Sequence, residues 1–322
     1  MSSTVCAAGT GSPILDRLAA GPISWGVCEV PGWGLQLAPD RVLSEMQSLG
    51  ILATEAGPDG YLGRDPALVR ALLDGHGLDL VGGFVPLVLH DPARLRESLA
   101  AAQRAATLLG ELRASVLCTA AVLDERWSAP RPLSAPEWTH LLAALPRLDE
   151  LAGDHGLRHA LHPHWGTLLE RAPAVRQILE ESEVALCLDT GHLSLGGTDP
   201  AALASGASDR IAHAHLKDVD VRVAERLRAG ELTLLRAVQA GLFRPLGEGE
   251  ARVREAVLAL ERAGYAGWYV LEQDVALAAE PPQGAGPVED VARSIEFLRS
   301  FESGTKGGAK RGAEAGAAAE GR

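Results

Sequence analysis

The sequence predicts a single-domain (β/α)₈ barrel, the TIM-barrel class, from three observations. Short runs rich in Val, Ile and Leu alternate eight times with longer segments of helical period along the 322-residue chain. No Gly-x-Gly-x-x-Gly fingerprint follows the first strand, where Ser24-Trp25-Gly26 stands instead, and this disfavours an open dinucleotide-binding sheet. Hydrophobic residues make up 47% of the chain but aromatics only 4%, so aliphatic side chains must fill the core, as they do inside such barrels.

The eight strands are predicted at 22–26, 52–56, 78–85, 115–120, 159–162, 184–189, 211–216 and 268–272. The helices between them should begin near Pro39, Pro66, Asp91, Ala135, Ala172, Asp199, Arg252 and Val288. Asp-Pro pairs at Asp65, Asp91 and Asp199 supply a capping carboxylate followed by a residue suited to the first turn. Gly50, Gly77, Gly110, Gly156 and Gly264 fall just before strands and mark the αβ turns of the opposite face. The barrel is assigned to 21–302, preceded by an extension, 1–20, and followed by a disordered tail, 303–322. A helical insertion at 221–241 is expected over the barrel mouth.

A formal charge of -12 argues against nucleic-acid and anionic-membrane partners, which a basic patch would have to attract. The one basic cluster, Lys306 to Arg311, lies in the Gly/Ala-rich tail and reads as solvated terminus. Cys6, Cys28, Cys118 and Cys187 show no Cys-x-x-Cys spacing and are expected to be reduced bystanders. No cationic, apolar leader and no run of about 18 apolar residues is visible, so a cytoplasmic protein with a small-molecule partner is expected, its oligomeric state left open.

Barrel enzymes carry their chemistry at the carboxyl ends of the strands. Here strand five runs into His162-Pro163-His164, strand six into Asp189-Thr190-Gly191-His192, strand seven through His213-Ala214-His215-Leu216-Lys217-Asp218 and strand eight into Glu272-Gln273-Asp274. Alternation turns His162 with His164, and His213 with His215, to common faces. Five of the ten histidines thus gather near Asp189 and Glu272, a mixture of imidazole and carboxylate that suits Mn²⁺, Co²⁺, Fe²⁺ or Zn²⁺. Asp189 as a turn cap and Glu272 as a surface charge are weaker readings, because each ends an apolar run. His213 sits one pleat deeper than His215 and is expected to support the site without ligating.

The Leu188–His192, His213–Asp218 and Val270–Asp274 segments, together with Pro245-Leu246-Gly247-Glu248-Gly249-Glu250, resemble the xylose-isomerase-like barrels, a family that includes sugar-phosphate isomerases, ketose epimerases and myo-inosose dehydratases. The resemblance spans about 21–301, with its four motifs in the family's order. It implies a divalent metal, Mn²⁺ or Co²⁺ by preference with Mg²⁺, Fe²⁺ or Zn²⁺ as alternatives, held by residues from strands five to eight. Asp189, His215 and Glu272 match the family's ligand positions directly, whereas His162 stands where epimerases carry a glutamate and where dehydratases have a similar His-Pro-His segment.

The resemblance then implies a hydro-lyase acting on a keto-polyol such as 2-keto-myo-inositol, within inositol breakdown. Glu272 or His164 is the expected base, and His192 or Lys217 the expected proton donor or anion stabiliser. Lys217 paired with Asp218 is the competing reading. Trp25, Glu55, Trp165 and Asp218 are the expected substrate contacts, with Trp25 as a core plug and Glu55 as a member of a buried network as alternatives. Gly247-Glu248-Gly249 lacks the length and lysine of a phosphate loop, and the few basic residues near the mouth favour an uncharged polyol over a sugar phosphate. The competing functions are an isomerase or epimerase on the same metal site and a non-catalytic sugar-binding barrel; a metal-dependent nuclease is disfavoured by the acidic charge.

Overall fold

A computed structural model describes residues 14–311 of the chain, with side chains as far as Phe301. Eight parallel strands close into a ring. In chain order they are β1 (Leu18–Ala20), β2 (Ala53–Glu55), β3 (Asp79–Leu87), β4 (Val116–Ala121), β5 (Arg158–Leu161), β6 (Leu186–Asp189), β7 (Ile211–Leu216) and, after the short antiparallel pair β8 (Asp218–Val219) and β9 (Phe243–Arg244), β10 (Tyr269–Leu271). Each barrel strand pairs with its neighbour in sequence, and β10 closes the ring by pairing with both β7 and β1.

The strand alternation decides what lies inside. Ala19, Ala53, Val81 and Val270 form one buried cluster, and Val116, Cys118, Ala160 and Cys187 another. By the two-residue period they share faces with Glu55, His162, Asp189 and Glu272. Small residues therefore floor the barrel and a polar layer sits on top of them. The opposite faces carry Leu80, Leu117, Leu161, Leu188, Leu216 and Leu271, which join the large cluster beneath the helices. Burying each such leucine contributes about 1.5–3 kcal/mol.

The helices are α1 (Pro39–Ser48), α2 (Pro66–His76), α3 (Leu95–Glu111), α4 (Ala135–Asp154), α5 (Ala172–Glu181), α6 (Thr190–Gly196), α7 (Pro200–Gly206), α8 (Val221–Arg228), α9 (Leu234–Gln239), α10 (Val253–Arg262) and α11 (Pro287–Arg311). Asp65 and Asp199 accept the first free amides of α2 and α7, with Pro66 and Pro200 beside them as expected. Asp91 differs: its carboxylate caps a turn through the Ala93 amide at 2.9 Å, and the helix begins only at Leu95.

The first strand also differs from expectation. It lies at Leu18–Ala20, inside the predicted extension, and 22–26 is instead a 3₁₀ turn over Pro22–Trp25 followed by Gly26 in the left-handed region. Pro22 has no N–H for the ladder, and Leu-Ala-Ala carries no β-branched signal, so the pattern pointed one turn too late. Gly50, Gly77, Gly156 and Gly264 take the left-handed φ of the αβ turns. Gly110 does not. It lies within α3, where a Cβ would stand 2.8 Å from the His155 carbonyl, and Arg113, at φ 61°, makes the turn.

Between β8 and β9, the 221–241 segment folds as α8 and α9. The last helix enters the predicted tail and runs to Arg311. Residues 1–13 and 312–322, the side chains of Lys306 to Arg311, and Cys6 lie outside the described residues. Cys28, Cys118 and Cys187 are free. Among the described residues no helix is long and apolar enough to cross a membrane.

Candidate metal centre and cavity

The strands β5, β6, β7 and β10 are consecutive around the barrel, and their carboxyl ends gather His162, Asp189, His215 and Glu272. Register makes this possible: Asp189 lies opposite His215, and His215 opposite Val270, two residues before Glu272. One donor atom from each residue lies within 4.8 Å of the other three. His162 Nε2 is 3.7 Å and His215 Nδ1 3.8 Å from Asp189 Oδ2, and His215 Nδ1 is 3.1 Å from Glu272 Oε2.

The residues fit a divalent cation. A metal bound at about 2.0–2.2 Å by nitrogen and oxygen donors holds adjacent donors roughly 3–3.5 Å apart. Buried polar atoms ordinarily have hydrogen-bond partners. Here both ring nitrogens of His162, Asp189 Oδ2 and His215 Nδ1 are buried with none among the described residues. One His162 ring nitrogen, Asp189 Oδ2 and His215 Nδ1 thus stand in the gathered set without hydrogen-bond partners, a donor arrangement that fits a cation.

The surroundings set the protonation of this group. Burial holds His162 far below the usual imidazole range, helped by the neighbouring positive charge of His215, so the ring stays neutral with a lone pair on one of its nitrogens. Burial raises Asp189, with Lys217 and His215 opposing. On Glu272 burial is outweighed by His215 and Lys217, which keep it ionised. On His215 burial is outweighed by Glu272 and Glu55, which raise it well above the usual imidazole range without a metal, so a cation at Nδ1 would take the place of the proton there.

Glu55 crosses the barrel from β2 to β7. Its Oε1 accepts from His213 Nε2 at 2.8 Å and lies 3.2 Å from His215 Nε2. A proton on His215 Nε2 frees Nδ1 for a metal, the arrangement in which an outer carboxylate orients a ligating imidazole. His213 thus supports the site from one pleat below.

Lys217 is the second organising charge. It is 1% exposed, and its ammonium lies 2.5 Å from Asp274 Oδ1, 2.9 Å from His192 Nε2, 3.3 Å from Glu272 Oε2 and 3.5 Å from Asp189 Oδ2. Burial opposes the charge, but Asp189, Asp274 and Glu272 outweigh it and raise Lys217 above its ordinary value. Its path requires Gly191, where a Cβ would stand 2.6 Å from Lys217 Cγ.

A cavity of about 610 Å³ opens onto this centre, within the ~300–1,000 Å³ of small-molecule sites. His162, His164, His215, Lys217, Glu272 and Asp274 form its polar wall. Phe84 and Trp127 form an aromatic wall, 5.8 and 5.5 Å from His164 between ring centroids. Leu234 of α9 also reaches the cavity, so the insertion contributes to its rim.

Several sequence expectations are redistributed. Glu55 faces the cavity but spends its carboxylate on the histidines. Trp25 is fully buried, its indole N–H donating to Glu45 at 2.8 Å, and is a core plug away from the cavity. Trp165 is buried beneath the Arg171 guanidinium, 4.4 Å from the ring centroid, because the turn after His164 folds inward. His164 lines the cavity, whereas His192 lies behind it, ring centroids 3.7 Å apart, and touches Lys217.

Asp218 does not line the cavity and is not the partner of Lys217. Its carboxylate accepts from the amides of Val219, Gly247, Gly249 and Ala251 at 2.8–3.1 Å. The glycine loop therefore turns its amides to a carboxylate, not to a phosphate. Glu29, Trp33, Phe84 and Trp127 line the cavity without having been picked out by sequence. They come from loops and from β3 in the first half of the chain, where no strand-end motif marks them.

A family model described as a xylose isomerase-like TIM barrel matches residues 44–301. An inosose dehydratase of Geobacillus kaustophilus (strain HTA426) is 33% identical over 280 residues, covering 81% of this chain and 89% of that protein. The probable 3-DHS dehydratase AsbF of Bacillus anthracis superposes with a TM-score of 0.67 at 16% identity, covering 88% of this chain and 98% of the other. The IOLI protein, solved with a zinc atom, superposes with a TM-score of 0.62 at 14% identity, covering 87% and 95%. At such identities the structural likeness speaks to the fold.

Proposed function

The chain belongs to the xylose isomerase-like TIM-barrel family, and from that membership we propose that it is a metal-dependent hydro-lyase dehydrating a keto-polyol such as 2-keto-myo-inositol. The observation that carries this reading is His162 in the converging set, where a two-glutamate epimerase would have its second carboxylate. Glu272 is then the one glutamate among the four donors. The similarity to the Geobacillus dehydratase over most of both chains supports the same reading.

A divalent ion held by His162, Asp189, His215 and Glu272 would supply Lewis-acid polarisation of a substrate carbonyl. Glu272, kept ionised by His215 and Lys217, is the base that takes the α-proton in this reading. The ammonium of Lys217, fixed by Asp274 and desolvated, stabilises negative charge that grows on the substrate oxygen. His164, pushed down to about 3 by burial and by Lys217, offers a neutral imidazole to a substrate hydroxyl. The aromatic wall of Phe84 and Trp127 offers a face to the ring's C–H groups. The Gly247 and Gly249 amides, already bound to Asp218, support an uncharged substrate over a sugar phosphate.

The test incubates the purified protein and added divalent metals with 2-keto-myo-inositol and a panel of ketoses. Loss of water to a dione supports the proposal. Epimeric or isomeric sugars without water loss would move the assignment to an isomerase on the same scaffold.

A further inference from the structure

Beneath the candidate metal centre the barrel floor carries two thiols that the proposed reaction does not use. Cys118 of β4 and Cys187 of β6 are fully buried, and both belong to the small-residue cluster with Val116, Ala160 and Ala212. Ala160 of β5, opposite Cys118 in register, stands between their strands and leaves the two side chains room to approach. His215 joins them from β7: one of its ring nitrogens and the two Sγ atoms all lie within 4.8 Å of one another.

The two sulfurs face each other on strands that cannot be cross-linked. Because β5 lies between β4 and β6 in the ring, ordinary strand spacing sets their main chains about 9 Å apart. A disulfide needs Cα atoms within about 7 Å, and both cysteines are free. A single atom between the sulfurs meets no such limit. A cation bonded to each at about 2.3 Å spans up to about 4.6 Å, and the His215 nitrogen completes a three-donor set. Two thiolates and an imidazole are soft donors suited to Cu(I), whereas the carboxylates and histidines above them suit harder divalent ions.

We propose that Cys118, Cys187 and His215 form a second, soft-cation site for Cu(I), which shares His215 with the centre above and disables that centre when filled. Each thiol gives its proton to solvent as its sulfur bonds the cation, and no oxidation state changes. Phe84 lines the cavity and packs against the thiol cluster, and His215 lines the cavity too, so the cation arrives by the mouth that admits substrate.

His215 does not serve both ions at full strength. Its Nδ1 faces Asp189 and Glu272, and its Nε2 faces Glu55. Cu(I) on Nδ1 removes a ligand from the upper centre. Cu(I) on Nε2 displaces the Glu55 contact that sets the tautomer of the ring. Either way the two ions oppose each other, whichever reaction the barrel performs.

The test uses the full chain with Cys6 and Cys28 replaced by Ser, so that of the four cysteines only the buried pair remains, titrated anaerobically with Cu(I) against a chromogenic chelator. One equivalent should bind, with thiolate-to-copper charge-transfer absorption and an X-ray absorption spectrum showing two sulfur neighbours and one nitrogen. Cys118→Ala and Cys187→Ala should each weaken binding by about 10²-fold or more, and saturating Mn²⁺ should weaken it about 10-fold. The absorption spectrum needs no variant of the pair, so it decides the matter even if an alanine variant fails to fold. No binding, a copper shell of nitrogen and oxygen alone, or unchanged affinity in both alanine variants overturns the site. Copper affinity indifferent to Mn²⁺ overturns the sharing of His215.

Discussion

Glu55 holds His215 from across the barrel, its Oε1 3.2 Å from the His215 Nε2 while His215 Nδ1 faces Asp189 and Glu272. The pair fixes which nitrogen carries the proton, and so which is free to ligate. Glu55→Gln keeps the size but can present an amide N–H to Nε2, favouring the wrong tautomer. Metal affinity should fall about 10–100-fold, read by chelator competition, with the far-UV spectrum unchanged. Unchanged affinity would remove Glu55 from the metal centre.

Glu272→Gln tests the base. The amide retains an oxygen donor but cannot accept a proton, so turnover should fall by about 10²–10⁴-fold. Steady-state rates at saturating metal check this, and near-normal activity would sink the assignment.

Gly191→Ala should be felt through Lys217, since the added methyl would stand 2.6 Å from its Cγ. The neighbour is a buried stem in a packed wall, and relief by rotation would break the contact with Asp274. A loss of about 1–3 kcal/mol is expected in denaturant melts, together with lowered activity. A stable, active variant would show that the Lys217 path has slack.

Glu29 links stability to pH with a definite sign. Burial and the carboxylates of Glu272 and Asp274, opposed by Lys217, push its folded pKa up to about 7, above the ordinary 4.5, so the folded state binds its proton more tightly than the unfolded chain does. This contribution is fully present below about 4.5 and is lost as the pH rises through about 7. Glu29→Gln should therefore melt like the wild type at pH 4.5 and higher than the wild type at pH 8. The reverse order would contradict the burial and carboxylate repulsion assigned to it.

Much of this site was legible because strand-end motifs are local. His162, Asp189, His215 and Glu272 each end a short apolar run, and period-two alternation alone turned them inward. Trp25 and Trp165 were misplaced for the opposite reason: whether an indole plugs the core or faces a cavity depends on tertiary partners, here Glu45 and Arg171. The strand-seven motif marks Asp218 as a substrate contact, but it turns towards the Gly247–Gly249 amides. Glu29 and Trp127 sit in loops without periodicity, and only the closure of the barrel brings them to the mouth. The first strand was shifted because Leu18–Ala20 lacks branched residues.

The account stands most directly on one assay: formation of dione from 2-keto-myo-inositol by protein stripped with chelator and then reconstituted with Mn²⁺ or Co²⁺. It predicts no product from the stripped protein, recovery on adding metal, and no recovery for His162→Ala. Equal product from stripped and reconstituted protein, or isomerised substrate without loss of water, would contradict it.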